Sequence, residues 1–333
     1  MSARYTGASG EDSLVARYFK PLAVALGAFG LDDDAALLKA HGDDTVMTTD
    51  AIIEGVHFLP DDPPDTIARK ALRVNLSDLA AKGAVPVGFV LTLALRDADD
   101  AWLAPFARGL GEDANLFGCP LLGGDTVSTP GPLMISITAL GRVPPGKMVH
   151  RSGARPGDRL VVTGTIGDAS LGLDILKDGA VAAALADDAA GSALLVERYR
   201  IPQPRTALAK AVRDHANAAM DVSDGLAGDL AKLCAASGVS AVIDARSVPL
   251  SSGAATLLSR GAVGIESIVA GGDDYEILCA IPEDRVEGFA RDARLAGVAA
   301  TSIGTVIAGA AVPKFLDAQG IEIALPRLSY SHF

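Results

Sequence analysis

Cysteine is scarce: Cys119, Cys234 and Cys279 are the only three in 333 residues. The number is odd, the three lie far apart and no Cys-x-x-Cys occurs. Neither a disulfide framework nor a Cys/His zinc site is expected from that pattern. Buried apolar thiols in a reducing cytoplasm fit the count. Long hydrophobic runs are also missing. Stretches such as Val87–Leu95 are strand-sized, so no membrane span is predicted. The first twenty residues carry acids early and have no apolar segment ahead of a small-residue cleavage site, so no secretion signal is read. A basic surplus is absent as well. Lys and Arg total 29 against 41 Asp and Glu, a formal net charge of −12. Sequence-independent nucleic-acid binding needs a basic face and is not expected. An acidic chain of this kind can bind a polyphosphate only if cations intervene, and carboxylate-held divalent metal is the usual means.

Familiar motifs are missing too. GxGxxG, HExxH, GxSxG and EF-hand patterns do not occur. The nearest approach to a phosphate-binding Walker loop is Gly141-Arg-Val-Pro-Pro-Gly-Lys147. It is followed by Met148 rather than Ser or Thr, and its two prolines remove backbone N–H groups that should face phosphate, so it reads as an interdomain turn.

What is present is a globular composition, 49% hydrophobic and 21% charged, with length for two domains. Strands are predicted at Val46–Asp50, Val85–Leu95, Leu133–Val143, Arg159–Gly164, Ala219–Val222, Val239–Asp244, Tyr275–Ile281 and Thr301–Ile307. Helices are predicted at Asp65–Ala81, Ala101–Phe117 and Leu226–Cys234, the last with Leu226, Leu230, Leu233 and Cys234 on one face. Lys177–Gly191 is rich in Ala and Asp and reads either as a helix or as a mobile excursion. Pro144-Pro145-Gly146 is the clearest punctuation. The expected fold class is α/β (α+β), two mixed domains over residues 1–145 and 146–333.

The informative feature is a set of six short aspartate turns. They are Asp32-Asp33-Asp34-Ala35, Thr48-Thr49-Asp50, Asn75-Leu76-Ser77-Asp78, Gly123-Gly124-Asp125-Thr126, Asp221-Val222-Ser223-Asp224-Gly225 and Gly271-Gly272-Asp273-Asp274-Tyr275. Singly, each is explained by capping or turn formation. Asp78 and Lys82 could be a plain i, i+4 pair, and Arg151 could pair with Asp158. Together, the glycines allow close backbone approach and the Ser and Thr oxygens suit hard cations. The Asp221–Gly225 turn, between a strand and a helix, should aim its amides at an anion. Six such turns exceed the needs of one cation and suit several magnesium ions on a triphosphate.

These stretches, with Thr48-Thr-Asp-Ala-Ile-Ile-Glu-Gly-Val-His-Phe58, Arg151-Ser-Gly-Ala-Arg-Pro-Gly-Asp158 and Gly164-Thr-Ile-Gly-Asp168, resemble in order and spacing the thiamine-monophosphate kinase family. That family belongs to the superfamily of aminoimidazole ribonucleotide synthetase, selenophosphate synthetase and the hydrogenase maturation dehydratase. The resemblance runs from about Asp12 to Phe333. It implies Mg2+ ligands at Asp34, Thr48, Thr49, Asp50, Asp78, Asp125, Asp221 and Asp224. It implies ATP contacts at Gly124, Asp125, Arg151 and Ser223, and substrate contacts at His57, Asp273 and Tyr330. It also implies a homodimer in which strands of the first domain pair across a two-fold.

This sequence departs from the family pattern in places. Asp32 stands where Gly is usual, Lys82 where Met is frequent, Asp273 where Glu is frequent and Tyr330 where Trp is usual. None of these removes an implied metal ligand. The implied reaction moves the γ-phosphoryl of ATP to thiamine monophosphate. Siblings fit less well: no Cys lies near the N-terminus as a selenophosphate synthetase needs, and the chain ends Ser331-His332-Phe333 rather than in Cys. A non-enzymatic metal-binding protein leaves the Gly-Gly-Asp and Arg151 contexts unexplained.

Overall fold

The computed structural model describes residues 13–31, 36–38, 42–177 and 180–328. Asp34 and Tyr330, both expected at the site, lie outside the described residues. The chain divides into two units, Met1–Asn75 with Pro86–Pro144, and Leu76–Val85 with Pro145–Phe333. Besides the Pro144–Pro145 punctuation, the segment Leu76–Val85 therefore groups with the second unit, which no signal in the sequence separates.

The first unit holds a four-stranded sheet made of β1 (Asp44–Ile53), β2 (Val85–Leu95), β3 (Leu121–Ser128) and β4 (Met134–Val143), in the order β1-β4-β2-β3. β1 and β4 are antiparallel, with Thr48 opposite Ala139 and Asp50 opposite Ile137. β2 and β3 run parallel. Alternation in β4 buries Ile135, Ile137, Ala139 and Val143 and leaves the intervening residues half-exposed, the pattern of a sheet with one covered face.

Helix α1 (Pro64–Ala81) buries Ile67, Ala71, Leu72 and Val74. Helix α2 (Asp100–Leu116) starts at Asp99, whose side chain accepts the N–H of Ala101. Trp102 stacks on Phe106 within this helix, ring centroids 4.7 Å apart, and so serves packing. Asp113 of α2 is fully buried and accepts from Arg69 (2.6 Å) and from both Nε (2.5 Å) and Nη2 (2.9 Å) of Arg73 on α1. The forked pair joins the two helices and satisfies the buried charge.

The second unit is built on a six-stranded sheet ordered β10-β7-β9-β5-β8-β6. Its strands are β5 (Arg159–Thr163), β6 (Ala218–Val222), β7 (Ser240–Asp244), β8 (Glu276–Ile281), β9 (Ala300–Ile307) and β10 (Lys314–Leu316). Only β10 and β7 pair in parallel. Both faces are covered. Leu160, Val162, Leu278 and Ala280 belong to one core, with Leu226 and Leu230 of the helix Leu226–Ser237. Val161, Ile277, Cys279 and Ile281 belong to the other, with Phe289 and Ala293. Burial on both sides explains why these strands read as continuous apolar runs rather than as alternation.

Helices α3 (Asp168–Leu176), α4 (Ala189–Arg200), α5 (Leu226–Ser237) and α6 (Val286–Leu295) complete the layers. The Ala/Asp-rich segment resolves into a short helix at Ala180–Ala184 and the start of α4, which Asp188 caps through the N–H of Gly191. Among the described residues no helix is long and apolar enough to cross a membrane. All three cysteines are buried and unpaired with one another, and burial pushes the thiols of Cys119 and Cys279 up to about 12 and that of Cys234 to about 11. They are inert at neutral pH.

Candidate active site

In the first unit, β1 presents Thr48 and Asp50 on the same face, two residues apart, while Thr49 lies on the opposite one. Thr49 donates its hydroxyl to the Ile137 carbonyl (3.2 Å) and accepts from Thr138 (3.0 Å). Its hydroxyl is thus directed away from Asp50. The Asp50 N–H donates to Oδ1 of Asn75 (3.1 Å), and Asn75, fully buried, is itself held by donating to the Ala71 carbonyl (3.0 Å). The Asn-Leu-Ser-Asp stretch is therefore not a turn but part of α1, and its Asn75 fixes the strand position that carries Asp50, while Asp50 stays exposed.

His57 follows in a tight loop. Its N–H donates to the Ile53 carbonyl, and its Nδ1 accepts the N–H of Ile53 at 3.1 Å. With Nδ1 as acceptor, the ring carries its proton on Nε2. Lys70, almost fully buried, donates Nζ to the His57 carbonyl at 2.8 Å and anchors the loop from below.

Gly123, Gly124 and Asp125 do not form a turn. They lie within β3, with Gly124 beside Leu91 and Asp125 beside Thr92. A Cβ on Gly124 would stand 2.0 Å from the Leu91 carbonyl oxygen. The glycine there is required by the close approach of the neighbouring strand. Asp125 is exposed.

In the second unit the end of α1 meets the end of β6. Ser77 donates its hydroxyl to Oδ2 of Asp221 at 2.8 Å. Asp221 is buried, and burial, then the charge of Asp78, holds its carboxyl well above the usual carboxylate range; the Ser77 hydrogen bond and the Lys82 charge oppose them. Two acids so placed favour retention of a proton on Asp221 and leave room for a cation to take its place. Lys82 does not simply pair with Asp78. Its Nζ donates to the Ala219 carbonyl at 2.7 Å, and burial lowers its pKa against the pull of Asp221. Arg151 is exposed and its charge reaches Lys82. The Asp158 carboxylate is engaged by the Arg155 N–H and the Asn217 amide, so the boundary pair with Arg151 is not what orders that loop.

The Asp221–Gly225 turn behaves differently from the expectation that its amides face an anionic ligand. The N–H groups of Ser223 (3.0 Å) and Asp224 (2.9 Å) both donate to Oδ2 of Asp229, a fully buried acid in the first turn of α5. The anion is the chain's own side chain. Lys232 bridges Asp229 (2.8 Å) and Asp224. Asp229 was missed in the sequence; an acid in the first turn of the helix that follows the motif was the available signal. The Gly271–Tyr275 segment lies beside this turn: Asp273 donates its N–H to the Ser223 carbonyl (2.7 Å) and Tyr275 to the Val222 carbonyl (2.8 Å).

Two more acids carry no role in the sequence reading. Asp274 is buried and accepts from the N–H of Gly167 at 2.7 Å. Glu276 is fully buried and accepts from Thr163 (2.6 Å), Arg198 (2.5 Å) and Arg205 Nε (2.7 Å). Among the described residues no three His, Cys, Asp or Glu side chains converge tightly enough to hold a metal alone. Magnesium suits such a donor set, because it keeps water and substrate phosphate in its shell and takes only one or two carboxylates.

Comparison with known proteins gives the family. Residues 32–143 match the family model of the AIR synthase related protein, N-terminal domain, and residues 155–313 match its C-terminal domain. Thiamine-monophosphate kinase of Caulobacter vibrioides is 45% identical over 326 residues, covering 96% of this chain and 89% of the relative. The crystal structure of thiamine-monophosphate kinase from Stenotrophomonas maltophilia superposes with a TM-score of 0.77 at 36% identity, over 86% of this chain and 89% of that one. AaThiL complexed with AMPPCP and TMP superposes with a TM-score of 0.75 at 29% identity, over 92% and 97%. This chain belongs to the thiamine-monophosphate kinase family and is a phosphotransferase.

Proposed function

We propose that the chain transfers the γ-phosphoryl group of ATP directly, in line, to the phosphate of thiamine monophosphate, with Mg2+ as cofactor. The observation that carries the metal assignment is the meeting of Ser77, Asp78 and Asp221 beside Lys82 and Arg151. A buried carboxylate next to a second one is relieved either by keeping its proton or by sharing a cation, and a divalent ion at this pair would displace that proton. Asp78 and Asp221, with Asp224, would hold metal in the second unit, and Asp50, Thr48 and Asp125 in the first; Asp34 belongs to the same set by resemblance. Thr49, with its hydroxyl turned away, would serve only through its main chain.

Bound magnesium would neutralise phosphate oxygens and the charge that spreads over the transferring group. The chain itself supplies position. Arg151, Gly124 and Ser223 would contact ATP, Arg151 as an exposed cation. His57 would donate from Nε2 to the substrate, with Asp273 and Tyr330 as its other contacts. No general base is assigned, because a phosphomonoester with a second pKa of about 6 already offers an anionic oxygen at neutral pH. Catalysis then rests on alignment and electrostatics.

The first unit would carry metal and pair with a second copy. β1 ends its sheet and exposes Met47, while Val85 and Val127 of the same sheet are also exposed, so an edge and an apolar face are available to a two-fold partner. A reducing cytoplasm suits the three free thiols. Mass spectrometry of products from enzyme, Mg-ATP and thiamine monophosphate tests the reaction. Thiamine diphosphate with equimolar ADP is expected; ADP and free phosphate without thiamine diphosphate would refute it.

A further inference from the structure

The segment Gly271–Tyr275 carries two left-handed residues that are not glycine, Asp273 (φ 71°) and Tyr275 (φ 52°). A bulky side chain rarely adopts that conformation, and it persists only where surrounding contacts over-determine it. Here they do. On one side, the N–H groups of Asp273 and Tyr275 are held by the carbonyls of Ser223 and Val222. Between them, Asp274 is turned into the interior, where Oδ2 accepts the Gly167 N–H at 2.7 Å and Oδ1 faces the Ala169 N–H at 3.4 Å. Below, Arg198 reaches the Asp274 carbonyl (3.4 Å) and Glu276 (2.5 Å). Gly272 passes so close to the other turn that a Cβ would meet the Ser223 carbonyl oxygen at 2.7 Å.

We infer that Asp274 is a positioning residue for the reaction: by pinning itself to the Gly167–Ala169 amides it turns Asp273 outward and fixes it against the Asp221–Gly225 turn. The carboxylate of Asp274 touches no substrate. It replaces the missing side-chain cap of α3, whose own N-cap is Gly167. In doing so it holds the left-handed step on either side of itself. The substrate-side Asp273 and the nucleotide-side Ser223 then keep a set spacing, joined by one backbone hydrogen bond of 2.7 Å. The inference rests on the proposed role of Asp273 as a substrate contact.

The test is steady-state kinetics of the full chain with Asp273→Ala, Asp274→Asn and the double variant, with urea unfolding of each. Asn offers one acceptor oxygen and sets an NH2 group against the second amide, so the pin loosens while volume is kept. Asp274→Asn is expected to raise the KM for thiamine monophosphate roughly tenfold, with the KM for ATP changed by less than about twofold. In the Asp273→Ala background the same change is expected to have no further effect. Gly272→Ala, which leaves every polar group in place, is expected to give the same pattern and stands in if Asp274→Asn does not fold. An unchanged KM for thiamine monophosphate in a folded Asp274→Asn protein overturns the inference, as does an equal rise in the Asp273→Ala background. If Asp273→Ala alone leaves that KM unchanged, the role of Asp273 fails first and is seen to fail separately.

Discussion

Ser77 and Asp221 stand 144 residues apart in the chain and share a 2.8 Å hydrogen bond, with the Asp78 carboxylate close enough to act on Asp221. Removing the donor should weaken the site more than the fold. Ser77→Ala is expected to cost about 1–2 kcal/mol of stability, as for a lost bond to an acid. Its turnover should fall roughly tenfold at limiting magnesium and recover in part as magnesium is raised. A magnesium titration of initial rates checks this; a rate deficit independent of magnesium would contradict it.

Asp229 gives a contrasting case. It accepts the amides of Ser223 and Asp224 and the Lys232 ammonium while fully buried. Asp229→Ala leaves two amides without their acceptor and Lys232 with Asp224 alone. Destabilisation by about 2–4 kcal/mol is expected in urea, together with loss of activity, because the turn itself loosens. A variant as stable as wild type would show that the turn is held by other contacts.

The Arg69–Asp113–Arg73 fork tests the first unit alone. Asp113→Ala removes the acceptor that Arg69 and the buried Arg73 share, while Arg69 keeps Glu112, and is expected to cost about 2–4 kcal/mol. Asp113→Leu combined with Arg73→Met should recover much of that loss, since an apolar pair of similar volume replaces the buried ions. Chemical unfolding of both variants makes the comparison.

Glu54 supplies a pH test outside the site. The Arg96 hydrogen bond, then the Leu133 N–H, lower its pKa. A depressed acid stabilises the fold fully above its unfolded value, about 4.3, and that contribution is lost as pH falls through the folded value. Glu54→Gln should therefore flatten the acid limb of the stability profile below about pH 4.5 and leave the limb above pH 7 unchanged. Arg96 is half-exposed, so the effect is modest and shrinks in salt.

Much of this was legible in the sequence where local pattern and burial agree. β2 runs from Val85 to Leu95 as its apolar run suggests, and α5 buries Leu226, Leu230, Leu233 and Cys234 as their spacing suggests. What stayed hidden depends on distant partners. Leu121–Ser128 contains Gly-Gly-Asp and reads as a turn, yet pairing with β2 makes it a strand. The cap of α3 arrives from Asp274, more than a hundred residues away, so no local signal marks it. Glu276 opens an apolar strand, and an acid there implied buried partners without revealing that they are Arg198 and Arg205. The acids of the six stretches stood out in the sequence as candidates. The division of acids into candidate metal ligands, such as Asp221, and internal fasteners, such as Asp229, did not.

The magnesium dependence of turnover in Asp78→Asn, measured beside wild type with thiamine monophosphate and ATP saturating, tests the central claim most directly. Asp78 and Asp221 sharing a cation implies a folded variant whose rate falls by on the order of a hundredfold and whose half-saturating magnesium rises. Near-normal turnover at limiting magnesium would contradict the account.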